Sequence, residues 1–467
     1  MARPPHRHPA DLIAHLPAGQ PQAAAALAER LGVNRMALSR LVAAAGPRVV
    51  RLGQTRATAY ALRRLTRAGS EWPLYRLRED ATLEELGQVI ALAGDTFYLE
   101  TARERQNLRR APDGEVEGFF PGLPWFLDDL RPQGFLGRTF AHGAGQRLGL
   151  PADLAHWQQG DVLMALVNAG GTEAGDLLLG SAAVERALDG LQQPSDHVRA
   201  EQRIAVYPDR AEAALQGEEV GSSPGGEQPK FTATVEADGG RRAVLVKFAR
   251  ADAGDAAQRW SDLLVCEHLA LGVLADGGMM AARSELLQTP AYTFLEVERF
   301  DRTPDILGRR GFVSMLSLSA AFTGHADADW TRAAAALQAQ RWLDVDSVTG
   351  IGRVHAFGRL IGNTDMHQGN IGFHFRDHGT LPLAPVYDML PMSLAPSRLG
   401  VLRADAPLPL VAPRGSGDLE HLRWAAPLAA AFWEAVAGDA RVRSASLKQL
   451  AGVNAQRVRE LGGRFGG

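Results

Sequence analysis

Two short helices joined by a tight turn are the first elements that the pattern of apolar positions predicts. The segment PQAAAALAERLGV has apolar residues at helical spacing and ends at Gly32, and NRMALSRLVAAAG begins with the capping residue Asn34 and ends at Gly46. The next segment, RVVRLGQTRATAYAL, alternates apolar and polar residues around Gly53-Gln54, as a β-hairpin does. Helix, turn, helix and hairpin predict a winged helix-turn-helix domain over residues 1–70.

Residues 71–200 show helical segments alternating with loops, and they carry no catalytic constellation. Trp125, Phe126, Leu127 and Leu130 mark the start of a buried helix. We therefore expect a second domain that acts as a scaffold, followed by a linker at QQPS, residues 192–195.

Residues 201–305 begin with a loop and continue with a hairpin. Gly, Pro and Ser cluster in EEVGSSPGGEQPKF, which predicts a loop with exposed backbone amides, and the β-type segments FTATVE and RRAVLVKF flank the turn 237–240. The hairpin places Lys247 between Val246 and Phe248, where an unpaired ammonium would be costly, so Lys247 requires an anionic partner. A glycine-rich loop beside a strand lysine suits the binding of nucleotide phosphates.

A helix around 260–274 and the apolar strand in TFLEVERFDR follow this hairpin. The strand runs into Glu298, Arg299, Phe300 and Asp301, where a hinge between two lobes could hold an adenine edge. Residues 306–467 would then form a second, helical lobe. The fold class predicted is α+β, with two lobes like those of a protein kinase.

The most informative segment is FGRLIGNTDMHQGNIGFHF, followed by LPLAPVYDMLPM. Polar residues are packed there between apolar runs, and buried polar clusters are expensive unless they are paired. Asp365 and Asn370 have the spacing of the catalytic-loop Asp and Asn of kinases, and Asp388 follows where a metal-binding aspartate would. Oxygen ligands favour Mg²⁺ over Zn²⁺.

Composition and charge narrow the choice of partners. With 46% hydrophobic and 22% charged residues and a net charge of −3, the chain is an ordinary folded protein, so a preference for nucleic acid must be local. Residues 1–67 contain eleven arginines against Asp11 and Glu29, which predicts a basic module joined to an acidic body. The residues expected to face DNA are Asn34, Arg35, Ser39 and Arg40 on the second helix and Arg51 and Arg56 on the wing.

The only cysteine, Cys266, excludes an intrachain disulfide, and no segment is apolar enough to cross a membrane. A cytoplasmic protein without a membrane partner is therefore expected, with Cys266 packed in a core.

From about residue 71 to the carboxyl end, the motifs resemble the HipA family of bacterial serine/threonine kinases, which are toxins of toxin-antitoxin modules. SSPGGEQPK is similar to its phosphate-binding loop, LVKF to its lysine strand, VERFDR to its hinge, GNTDMHQGN to its catalytic loop and LAPVYDM to its metal motif. Residues 71–200 would be the amino-terminal subdomain of that fold. The fused helix-turn-helix resembles the YjjJ branch of the family.

The resemblance implies a role for each matching residue. Asp365 would be the catalytic base, Lys247 the phosphate-binding lysine, and Asn370 and Asp388 would be Mg²⁺ ligands. ATP would contact a set of residues in the loop, the hinge and the two carboxyl-terminal motifs: Ser223, Gly225, Gly226, Glu298, Phe300, His367 and Tyr387. Ser223, or its neighbour Ser222, would be autophosphorylated, which inactivates the kinase.

The resemblance leaves the acidic partner of Lys247 and the protein partners less defined. Glu267 is the candidate partner, with Asp262 behind it. The protein substrate would belong to the translation machinery, and an antitoxin or a second copy of the chain would bind as well.

Two other functions compete with this interpretation. The chain could be a transcriptional regulator with a degenerate kinase body, although the presence of Lys247, Asp365, Asn370 and Asp388 argues against it. It could also be a nuclease in which Asp365, His367 and Asp388 hold a metal.

Overall fold

A computed structural model describes most of the chain. The described residues are 7–53, 58–112, 116–192, 194, 196–216, 228–237, 239–305, 307–326, 329–397, 399–402, 406–409 and 411–465.

The amino-terminal module combines three helices with a small antiparallel sheet. Its elements are α1 (Pro9–Ala14), β1 (Gln22–Ala23), α2 (Ala24–Leu31), α3 (Arg35–Ala45), β2 (Val49–Leu52) and β3 (Ala59–Leu62), with strand order β1-β3-β2. As predicted, α2 ends at Gly32 in the left-handed conformation, and the Asn34 side chain accepts a hydrogen bond from Ala37 N–H at 2.9 Å to cap α3. The module has its own apolar core, which includes Leu27 and Leu38.

The expectation that residues 71–200 are helices and loops is wrong for their first part. A five-stranded antiparallel sheet in the order β7-β6-β5-β4-β8 dominates this region: β4 (Glu71–Leu77), β5 (Leu83–Leu92), β6 (Thr96–Thr101), β7 (Phe119–Phe120) and β8 (Leu177–Leu179). The regular alternation of a one-sided strand is absent, because β5 and β6 are buried on both faces over much of their length.

The helices of this middle region are α4 (Gln106–Arg109), α5 (Gly134–Phe140), α6 (Gln159–Ala169) and α7 (Ser181–Gln192). The predicted buried helix start is a 3-10 helix, Trp125–Leu130, and its four apolar residues are buried.

The next sheet has five strands in the order β12-β13-β11-β10-β9. Its elements, with the helices that pack on it, are β9 (His197–Arg199), α8 (Arg203–Gln216), β10 (Lys230–Ala237), β11 (Gly240–Arg250), α9 (Asp255–Asp276), β12 (Ser284–Gln288) and β13 (Tyr292–Glu298). β10 and β11 form the predicted hairpin, with Ala237 opposite Gly240. Cys266 is fully buried on α9, as expected.

The carboxyl-terminal lobe is helical. It contains β14 (Val313–Ser314), α10 (Met315–Phe322), α11 (Trp330–Ala339), α12 (Val345–Ile361), β15 (Gly372–Phe373), α13 (Ser416–Gly438) and α14 (Ala445–Phe465). α12 and α13 pack through Phe357 and Phe432, whose rings lie 6.2 Å apart.

The middle region and the helical lobe share one apolar core. Trp125 of the middle region makes edge contacts with Trp342 at 5.2 Å and Phe375 at 5.6 Å. Within the described part of the chain, no helix is both long enough and apolar enough to span a bilayer.

Candidate active site

A cavity of about 690 Å³ lies between the β9–β13 sheet, the helical lobe and the middle region. It has the size of a small-molecule site. Several of the predicted residues line it: Lys247, Glu298, Phe300, Tyr387 and Asp388. Asp365, His367 and Asn370 do not line this cavity, and they lie on the loop after α12.

Lys247 lies on β11, between β10 and β13, and is buried. Its Nζ contacts both oxygens of Glu267, at 2.7 and 2.9 Å, and Oδ1 of Asp388. Burial alone would lower the pKa of Lys247, but the carboxylates of Asp388 and Glu267 raise it above its usual value, so the ammonium stays charged. The anionic partner required by the sequence is therefore a pair of carboxylates.

Glu267 is held by α9, which packs against β11 and β13. Burial raises the pKa of Glu267, and the facing ammonium of Lys247 opposes that rise. Asp262, one and a half turns earlier, points elsewhere and accepts hydrogen bonds from the backbone N–H groups of Arg443 and Ser444, at 2.8 and 3.0 Å. Glu267 is thus the partner of Lys247, and Asp262 ties α9 to the start of α14.

The loop after α12 brings Asp365 towards Asp388. α12 ends at Gly362 in the left-handed conformation, and the buried Asn363 then accepts a hydrogen bond from Asp365 N–H at 3.0 Å. Its amide nitrogen donates to the backbone carbonyl of Asp388 at 3.4 Å. One side chain therefore links the segments that carry the two aspartates.

The side chains of His367, Asn370 and Tyr387 form hydrogen bonds with the backbone of this loop. His367 Nδ1 accepts from Gly369 N–H at 3.0 Å, and Asn370 Nδ2 donates to the carbonyl of Asp365 at 2.8 Å. The hydroxyl of Tyr387 donates to the carbonyl of Gly369 at 2.8 Å. These contacts hold the turn of residues 365–370 against the segment that leads to Asp388.

The two aspartates differ in their electrostatics. Burial alone would raise the pKa of Asp388, but Lys247, with Lys230, lowers it to about 2. Burial raises the pKa of Asp365, an effect that His367 opposes and Asp388 reinforces. Asp388 is thus firmly ionised, whereas Asp365 is the more basic carboxylate, as a proton acceptor should be. Asp388 also has a φ of 53°, a left-handed conformation that Asp tolerates better than most residues.

The oxygens of Asn370 and Asp388 suit a magnesium ion. Because Asn370 donates through its amide nitrogen, its side-chain oxygen is available as a ligand, and the Asp388 side chain is 29% exposed. Among the described residues, no three His, Cys, Asp or Glu side chains are grouped around a common metal position. A Mg²⁺ ion takes few protein ligands and completes its shell with water and phosphate oxygens.

The segment after β13 forms one wall of the cavity. The Phe300 ring lies 5.7 Å from that of Tyr387 and 5.7 Å from that of Phe312. The N–H of Glu298 donates to the carbonyl of Arg283 at 2.8 Å, and the carbonyl of Phe300 accepts from Arg310 at 3.2 Å. This wall is therefore mainly aromatic, since those two backbone groups already have partners.

Several expected site residues lie outside the described residues. These are Ser222, Ser223, Gly225 and Gly226 of the glycine-rich loop, and Arg56 of the wing. The other residues expected to face DNA, Asn34, Arg35, Ser39, Arg40 and Arg51, are all exposed. Asn34 uses its side-chain oxygen to cap α3.

Sequence reasoning missed Lys230, the first residue of β10. Lys230 lies opposite Lys247 in the β10–β11 ladder, and its charge acts on Glu267, Asp365 and Asp388. A signal was present: the chain has only three lysines among 50 basic residues, and two of them are at this site. In a chain whose basic residues are almost all arginine, a lysine at this position indicates a need for a compact ammonium.

The order and geometry of these parts define a two-lobed, protein-kinase-like α+β fold. Residues 222–445 match the family described as HipA-like C-terminal domain, and residues 68–188 match YjjJ-like toxin, middle domain. The HipA chain in a Shewanella oneidensis complex of HipA, HipB and operator DNA has the same fold, with a TM-score of 0.51 at 15% identity over 84% of this chain and 97% of that one.

The particular family follows from a relative with much higher identity. Toxin YjjJ of Escherichia coli strain K12 is 37% identical over 444 residues, which cover 94% of this chain and 96% of the relative. The chain therefore belongs to the YjjJ-like toxin family, whose carboxyl-terminal part is HipA-like. The resemblance noted from the motifs is confirmed.

Proposed function

We propose that this protein is an ATP- and Mg²⁺-dependent serine/threonine protein kinase of the HipA type. The observation that carries the proposal is the contact of Lys247 with both Glu267 and Asp388, next to a loop that presents Asp365. A buried lysine held by a helix glutamate, an ionised metal aspartate and a more basic carboxylate are the parts that phosphoryl transfer requires.

Each residue has a role that follows from its position. Phe300 and Tyr387 would bind the base, and Lys247 would leave Asp388 to contact phosphate oxygens. Asn370 and Asp388 would hold Mg²⁺, which neutralises the charge of the phosphates. Asp365 would accept the proton of the substrate hydroxyl as the oxygen attacks the γ-phosphorus and the bond to the β-phosphate oxygen breaks.

The amino-terminal module would bind DNA. Arg35, Ser39 and Arg40 share the exposed face of α3, and Arg51 lies on the adjoining strand. Within the same module, Arg63 and Arg64 pair with Glu71 and Asp95, so these two arginines hold the module to the middle region instead.

The partners proposed follow from the family. The HipA relative forms a complex with HipB and operator DNA, and an antitoxin or a second copy of the chain would act with this module. The phosphorylated protein would belong to the translation machinery, and phosphate on Ser223 or Ser222 would inactivate the kinase.

Transfer of radiolabel from γ-labelled ATP tests the activity. Wild-type protein should label itself or a protein substrate in the presence of Mg²⁺, and Asp365→Ala should reduce labelling by at least about a hundredfold. Asp346→Ala is the matched control, since Asp346 is exposed in the first turn of α12. Nicking of plasmid DNA without ATP, abolished by Asp365→Ala, would instead indicate a nuclease.

A further inference from the structure

Of the arginines that line the cavity, four contact the loop of residues 170–175: Arg186, Arg299, Arg302 and Arg309. None of them belongs to the group around Lys247. Arg302 and Arg309 are only 7% and 5% exposed, which is unusual for arginine. We call this group the arginine wall.

The arginine wall donates hydrogen bonds to one loop of the middle region, residues 170–175. Arg186 Nε donates to the carbonyl of Gly170 at 2.7 Å, and Arg302 Nη2 donates to that of Glu173 at 2.7 Å. Arg299 also donates to the carbonyl of Glu173, at 3.0 Å, and Arg309 donates to that of Gly171. Carbonyl groups satisfy hydrogen bonds but carry no net charge, so these contacts leave the positive charge uncompensated.

Two carboxylates face the four guanidinium groups. Asp301 contacts Arg302 at 2.6 Å and Arg299 at 2.8 Å, and Glu173 accepts from the N–H of Gly171. Burial alone would raise the pKa of Asp301, but these two arginines lower it below its usual range. Asp196 acts in addition on Arg299, Asp176 on Arg309 and Glu185 on Arg186, so the arginine wall does not stand out by an excess of charge.

Two donors of the wall also lack an acceptor. Arg186 Nη2 and Arg309 Nη1 are buried and have no hydrogen-bond partner among the described residues. Burial lowers the pKa of Arg309 to about 10. Buried hydrogen-bond donors without an acceptor are costly, and an anion that accepted these hydrogen bonds would remove the cost.

We propose that the arginine wall is a second anion site, which binds the phosphate group of a small phosphomonoester. Guanidinium groups match the geometry of phosphate oxygens and bind them through paired hydrogen bonds. The apolar part of the cavity, which includes Leu136 and Phe140 of α5, would accommodate the remainder of the ligand. The site is distinct from the one proposed for the γ-phosphate at Lys247.

Calorimetric titration of the full chain with inorganic phosphate, at constant ionic strength with chloride as the reference anion, tests the site. Wild-type protein should bind phosphate, and both Arg186→Gln and Arg309→Gln should weaken binding at least about tenfold. Arg186 is only half-buried, so its variant tests the site even if the Arg309 variant does not fold. Arg332→Gln, on the exposed side of α11, should bind phosphate like the wild type.

Lys247→Met separates this site from the proposed nucleotide site. It should lose Mg²⁺-ATP binding while it still binds phosphate. Phosphate binding that is lost in Lys247→Met but kept in both arginine variants would place the anion at Lys247 and overturn the proposal. Wild-type protein that takes up no phosphate at millimolar concentration would overturn it as well, whether or not the chain transfers phosphate from ATP.

Discussion

Lys247 is the residue on which the proposed chemistry depends. Its ammonium has two carboxylate partners, Glu267 and Asp388, and both it and Glu267 are buried. The strand predicts that Lys247 needs an anion, but helical spacing alone does not decide between Glu267 and Asp262 on α9. In the tertiary structure Asp262 accepts hydrogen bonds from the backbone at residues 443–444, which leaves Glu267 as the partner of Lys247.

Glu267→Gln should impair phosphoryl transfer while the protein stays folded. Glutamine keeps the shape of the side chain and a hydrogen-bond acceptor but removes the negative charge that competes with Asp388 for the ammonium of Lys247. Lys247 should therefore remain closer to Asp388 and be less available to phosphate. We expect kcat to fall at least about tenfold, measured by transfer from labelled ATP. Asp276→Asn, at the exposed end of the same helix, should retain wild-type activity, and equal activity in both variants would contradict the role of Glu267.

His355 of α12 should make stability depend on pH. It is buried beside Trp330, and burial lowers its pKa to about 4. An unfolded histidine has a pKa of about 6.5, so the unfolded state binds a proton first as pH falls. Stability is therefore complete above about pH 6.5 and is lost towards pH 4, by up to about 3 kcal/mol.

Thermal unfolding of wild type and His355→Gln between pH 7 and pH 4.5 measures this effect. The midpoint of the wild type should fall more steeply than that of the variant over this range. His378→Gln, which alters an exposed histidine, should follow the wild type. Parallel curves for wild type and His355→Gln would show that His355 does not titrate on unfolding.

At the scale of elements, α2 and α3 illustrate what local signals can establish. Gly32, Asn34 and Gly46 mark helix ends by backbone conformation and capping, which need no distant partner, and all three do so in the structure. The strands β4, β5 and β6 lack such marks because they are buried by neighbours from elsewhere in the chain. Their composition therefore did not distinguish them from helices.

Arg40 on α3 gives a direct test of DNA binding. Its exposed guanidinium should contact phosphate or a base edge, so Arg40→Gln should weaken binding about tenfold and reduce the slope of log affinity against log salt by about 1. The measurement is fluorescence anisotropy with labelled duplex DNA at several salt concentrations. Arg67→Gln should bind DNA as the wild type does, since Arg67 lies near Asp161 of the middle region, at 3.7 Å.

At the scale of the whole molecule, the middle region contacts the segment that joins Asn370 to Asp388. Asp377, between Asn370 and Asp388, pairs with Arg105 at 2.6 Å and Arg76 at 2.8 Å. The buried Asn107 donates to the carbonyls of Arg376 and Gly379, at 2.8 and 3.1 Å. The middle region is therefore structurally continuous with the candidate active site and is more than an attached domain.

Asp377→Asn should loosen this contact. Two half-buried guanidinium groups would lose a charged partner, which costs about 1–3 kcal/mol. We expect a lower unfolding temperature and faster hydrogen exchange in residues 372–384, measured by mass spectrometry. Asp189→Asn, on the exposed side of α7, should change neither, and unchanged exchange in the Asp377 variant would contradict the coupling.

The residues proposed for chemistry could be named from the sequence, because Lys247, Asp365, Asn370 and Asp388 stand in short motifs whose spacing reflects local backbone geometry. The cap of α3 and the hairpin of β10 and β11 were predictable for the same reason. The contacts that join distant parts of the chain could not be predicted this way. These contacts join Glu267 to Lys247, Asn363 to the segments of both aspartates, the arginine wall to residues 170–175, and Asp377 to the middle region. They depend on packing between segments up to hundreds of residues apart, which no local pattern encodes.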